Sequence, residues 1–138
     1  MVKLVDKDLT NEFKFVNNLS IPKNYILERS FEIYEKENIN DTNYSKLWQY
    51  VLIYSTNEET TKHIEITFTK EEYILSCLLP DKNKFKSSII NDKEILLFSV
   101  DNTNEKQAFF ENNNYKFFIE ATDLTNNEFV NLIKSIIN

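Results

Sequence analysis

No glycine occurs anywhere in this chain, while nineteen of its 138 residues are asparagine. Glycine lets a backbone turn at positive φ and lets a phosphate or oxyanion approach main-chain N–H groups closely. Without it there is no glycine-rich phosphate loop, no dinucleotide-binding fingerprint and no G-x-S-x-G nucleophile elbow. Several large enzyme classes are thereby set aside. Tight turns must instead use Asn and Asp, whose short polar side chains tolerate the left-handed region.

The length suits a single domain spanning residues 1–138. Apolar residues make up 41%, and eleven Phe and seven Tyr supply large rings, so a proper core can be buried. The net charge of -6 gives a surface that repels phosphates. Nucleic acid and anionic membrane are therefore poor partners, and the charge itself is read first as serving solubility alone. No stretch approaches the ~20 apolar residues of a membrane span, and Met1–Asp8 has no apolar signal core. A cytoplasmic location is expected if Met1 is the native start. Cys77 is single and lies in the apolar run 73–79, where a buried inert thiol is expected.

Periodicity predicts several strands followed by one helix. Residues 1–20 are ambiguous: Leu9, Phe13 and Val16 fit one helix face, while Phe13–Val16 could begin a strand. Pro22 forces a turn or an extended piece. Tyr25–Tyr34 reads as a strand. Leu47–Tyr54 is apolar on both faces, with Trp48, Tyr50, Leu52 and Tyr54 on one side, which predicts a central strand. In Thr61–Phe68, Ile64, Ile66 and Phe68 point inward while His63, Glu65 and Thr67 point outward. Thr69–Glu72 has a capping-box pattern that would start a short helix ended by Pro80, although the same run could be a strand. Ser88–Ile90 and Glu94–Val100 form a hairpin turned by Asn91–Asp92. Gln107–Glu111 and Tyr115–Thr122 form another, and a three-residue turn at Asn112–Asn114 would set Phe109 opposite Phe117 and Ala108 against Phe118. Thr125 and Glu128 make a T-x-x-E box, and Phe129, Leu132, Ile133, Ile136 and Ile137 form one continuous stripe behind it. The expected fold is α+β: an antiparallel β-sheet of five to seven strands with a C-terminal amphipathic helix packed on one face.

No catalytic constellation emerges. One histidine and one cysteine do not build a structural zinc site. Asp101–Glu105 carries oxygen ligands at alternate positions but lacks the glycine and distal Glu of a calcium loop, and reads as an acidic turn. Pairing Cys77 with His63 would place a silenced thiol beside a surface imidazole. No catalytic residue, metal or cofactor is therefore expected. For binding, Trp48, Tyr50 and Tyr54 share a strand face that is read first as core. Were that face exposed, it would be the best binding surface, with His63 as a further surface candidate.

Two segments carry a resemblance. One is Phe13–Val16 running into Leu19-Ser20-Ile21-Pro22-Lys23-Asn24-Tyr25-Ile26-Leu27. The other is the tail: Glu94–Phe98, then Ala108–Thr122, then Leu124–Ile136. Together they resemble a C-terminal extracytoplasmic domain of unknown function that follows a transmembrane helix in membrane proteins of low-GC Gram-positive bacteria, some of them anti-sigma-like regulators. Asn24 and Asn114 stand where that family usually carries glycine. The resemblance implies a non-enzymatic sensing or interaction domain in a membrane-anchored surface protein, with an unknown protein or small ligand as partner. The net charge supports an alternative: a cytosolic acidic inhibitor or immunity-type protein that masks a basic partner.

Overall fold

The computed structural model describes residues 2–57, 62–70, 85–99 and 104–137. Among these, eight strands form one antiparallel sheet: β1 (Val2–Asp6), β2 (Ile26–Glu35), β3 (Lys46–Ser55), β4 (His63–Lys70), β5 (Lys86–Ile90), β6 (Lys93–Ser99), β7 (Glu105–Asn112) and β8 (Tyr115–Thr122). A helical turn, α1 (Leu9–Glu12), runs into a 3₁₀ turn at Lys14–Asn18, and the chain closes on α2 (Asn126–Ile136). The strand order is β1-β2-β3-β4-β8-β7-β6-β5. Two four-stranded meanders are thus welded where β4 pairs antiparallel with β8, in register Phe68↔Phe117 and Ile66↔Ile119.

The α+β architecture agrees with the sequence, but the count is eight rather than five to seven. The strand not foreseen is β1. All five of its residues are exposed at the sheet edge, so no inward–outward alternation marks it. The ambiguous stretch behind it resolves into α1, capped by the Asp8 carboxylate on Thr10 N–H, and the 3₁₀ turn. Thr69 is a second correction. It lies within β4, fully buried, with its hydroxyl donating to the Trp48 carbonyl. The rest of the run 71–84, including Cys77, lies outside the described residues.

Neighbours across a sheet share a face, so the register sorts the side chains. One row, Tyr50↔Phe68↔Phe117↔Phe110, crosses β3, β4, β8 and β7. Its rings stack at centroid spacings of 5.0, 5.4 and 5.2 Å. Phe13 stands edge-on to Phe68 at 4.9 Å, and Phe15 to Phe117 at 5.5 Å, so the N-terminal turns roof one end of this face. α2 roofs the remainder with Phe129, Leu132, Ile133 and Ile136. Its capping box is complete, with Glu128 N–H donating to Thr125 Oγ1 at 3.1 Å and Thr125 N–H to Glu128 Oε1 at 2.9 Å. Ser20 N–H donates to Ser135 Oγ at 3.0 Å and ties the two roofs together.

The hairpin β5–β6 turns at Asn91–Asp92, as the sequence predicts. The hairpin β7–β8 turns on two residues, Asn113 and Asn114, not three. Phe110 therefore faces Phe117, and Ala108 faces Ile119, correcting the expected Phe109–Phe117 and Ala108–Phe118 pairs. The cause is Asn112, which pairs with Tyr115 in the ladder and donates its side-chain amide to the Ile136 carbonyl at 3.0 Å.

Candidate binding cleft

α2 does not roof the whole face. Beyond its first turn, the end of the β5–β6–β7 ladder stays open as a cleft of about 860 Å³. That volume falls within the range of pockets that take small organic molecules. Register defines what projects into it. Leu97 pairs with Lys86 on one side and Ala108 on the other, and Ser99 pairs with Lys106. Ala108 is core on the α2 side. Hence Lys86, Ser88, Leu97, Ser99 and Lys106 all rise on the α2 face, and Ser87, Phe98 and Gln107 line the cleft from strand positions whose side chains belong to the opposite face. Asn126, Phe129 and Val130 of α2 form the facing wall.

The chemistry of the lining departs from that of the molecule. The chain carries 22 acidic and 16 basic residues, yet among the described residues the cleft lining holds two lysines and no carboxylate. Lys106 is positioned: its Nζ donates to the Leu124 carbonyl at 2.6 Å, just ahead of the α2 cap. Phe129 is buried, while Leu97 and Val130 are half-buried, so the floor is apolar beneath a polar rim.

The binding candidates from the sequence are not brought together. Tyr50 and Tyr54 are buried on the α2 face, and burial pushes the Tyr54 phenol up to about 12 and the Tyr50 phenol higher still. Both belong to the core. Trp48 is half-buried near the start of β3, and its carbonyl is taken by Thr69. His63 pairs with Ser55 on the other face of the sheet, half-buried, with its N–H donating to Thr122 Oγ1 at 3.0 Å. The cleft residues were missed because they sit on three different strands and one helix. A signal was available in Lys106, a lysine in the inward phase of β7 with Ala108 and Phe110, and in Lys86, in phase with Ser88 and the buried Ile90.

The opposite face has its own chemistry. Phe31, Val51, Thr67 and Phe118 are buried there. Beside them Glu65 pairs directly with Glu120, and Glu120 with Gln107. Burial, a hydrogen bond to Glu105 and the charge of Glu65 push the Glu120 carboxyl up to about 7. Among the described residues, no group of three or more His, Cys, Asp or Glu is arranged to hold a metal ion. No helix among them is long and apolar enough to cross a membrane. No family model, curated protein or solved structure matches the chain.

Proposed function

We propose that the protein is a non-enzymatic sensing or binding domain whose ligand site is the cleft between α2 and the end of the β5–β6–β7 ladder. The observation that carries this reading is the cleft itself: it has a concave apolar floor, and polar side chains from four elements converge on it. Rigid strands hold the lining in place, which suits recognition. Display outside the cell, on a membrane anchor, rests on the resemblance of the chain ends alone.

The test is equilibrium dialysis of the protein against a small-molecule extract, read by mass spectrometry beside Ser88→Trp, which fills the cleft with an indole. A compound retained by the wild type and lost from the variant supports the reading. Equal retention by both, or none by either, overturns it.

A second reading has its own observation. Glu65, Glu105 and Glu120 crowd together on the opposite face, and such a patch suits a basic protein partner, as expected of an inhibitor or immunity-type protein. Oligolysine titrated onto the protein should then bind through this patch, and undiminished binding to the Glu65→Gln/Glu120→Gln double variant would rule the patch out.

A further inference from the structure

Resting on the cleft as ligand site, we infer the ligand's chemical class: an organic anion with a carboxylate or phosphate-monoester head and an apolar body. The argument starts from charge. In a chain with net charge -6, a lining whose described residues include Lys86 and Lys106 and no carboxylate is a local reversal of sign. The two lysines rise on the same face. They lie two strands apart and one inward position out of step, since Lys86 pairs with Leu97 and Lys106 with Ser99. Strand spacing and rise put their Cα atoms roughly 12 Å apart. Two long flexible side chains can close that gap on one small anion.

Lysine meets an anion as a compact point charge with three donors and does not demand planar bidentate geometry, so both head groups fit. Ser88 and Ser99, on the same face, add hydroxyl donors at the rim. Between the two lysines lies Leu97, which lines the cleft together with Phe129 of α2 and offers surface to an alkyl or aryl body but nothing to a second charge. The acidic exterior does not defeat this. Exposed charges beyond a Debye length of about 8 Å are screened at physiological salt, while groups in contact are not.

The test uses four probes: octanoate, octyl phosphate, octanol and inorganic phosphate. Each is followed by calorimetry and by amide shift perturbation in wild type, Lys86→Gln and Lys106→Gln. Lys86 is exposed, so its variant should keep the wild-type melting temperature. Lys106 also holds Leu124, so its variant is read beside a melting curve. Either alkyl anion should saturate the cleft, octanol should bind more weakly, and Lys86→Gln should cost roughly tenfold in affinity for the anion. Comparing the two anions identifies the head group. Octanol binding as tightly as octanoate, with Lys86→Gln without effect, would overturn the anionic class and leave the cleft as a binding site. Inorganic phosphate binding as well as octyl phosphate would overturn the apolar body. No shift at cleft amides with any probe would overturn the inferred class, and the extract dialysis would then decide separately whether the cleft binds anything.

Discussion

At the scale of single residues, asparagine does what glycine does elsewhere. Asn91, Asp92, Asn113, Asn114 and Asp123 hold φ of 49, 64, 51, 68 and 59°. The first four fill two-residue hairpin loops in which both central positions require positive φ. A Cβ with no local hydrogen bond to offer costs about 1–2 kcal/mol there. Asn114→Ala should therefore lower stability by about 1 kcal/mol in urea denaturation, whereas Asn114→Gly should leave it unchanged or slightly raised. The glycine-free composition made this use of Asn legible. Which of three consecutive asparagines would turn was not, because the choice depends on Asn112 reaching Ile136, a residue in a different element.

Glu120 carries the second prediction at this scale. Its carboxyl is pushed from the ordinary 4.5 up to about 7, first by burial, then by the hydrogen bond to Glu105 and the charge of Glu65. The fold therefore holds this proton more tightly than the unfolded chain does. Its contribution is fully present below pH 4.5 and is lost as pH rises through about 7. Because solvent reaches the group, screening limits the effect to about 1 kcal/mol. Glu120→Gln should flatten the decline between those pH values and stand above wild type at pH 8. Melting temperatures of both proteins across that range check the sign, and a parallel decline in the variant would assign the slope to other groups.

At the scale of elements, α2 was the most readable, because its signals are local. The box at Thr125 and Glu128 and the stripe from Phe129 to Ile136 all lie within one short segment, and each appears where the sequence places it. Leu132 and Ile133 are fully buried against the sheet. Ile133→Ala should cost about 3 kcal/mol through lost transfer energy and a cavity, and Ile133→Asp should unfold the domain by burying an unpaired charge. Thr125→Ala, which removes only the cap, should cost about 1 kcal/mol. Ranking the three by urea midpoint separates docking from capping. Thr69 shows the limit of local pattern: its T-x-x-E spacing equals that of Thr125, yet cross-strand pairing with Lys116 keeps it in β4. The N-terminal turns were illegible for another reason. Four- and five-residue elements are too short to show a period, and Phe13 and Phe15 settle through contacts with rings far along the chain, at Phe68 and Phe117.

At the scale of the whole molecule, what the sequence hides is which strands meet. Each meander joins neighbours in sequence, but the β4–β8 seam joins residues such as Ile64 and Ala121, and no alternation encodes that choice. The seam is what aligns β7 and α2 so that the cleft exists, which is why its residues could not be assembled beforehand. Among the described residues the same open topology leaves two edges. β5 carries Lys86 and two serines on its outer rung, which discourages further strand pairing. β1 is less protected: Val2, Leu4 and Val5 are 44, 45 and 37% exposed along it. Such an edge is a template for another chain's strand. Leu4 stands opposite Ile33 and is 45% exposed, so Leu4→Lys should cost little stability while placing a charge where an added strand would have to pack. Light scattering a few degrees below the melting temperature should show slower aggregation for Leu4→Lys than for wild type. A control lysine at Ile39, which is 93% exposed in the loop between β2 and β3 and outside any strand, should leave the rate as it was. Equal slowing by both substitutions would attribute the effect to any added surface lysine and clear β1 of the role.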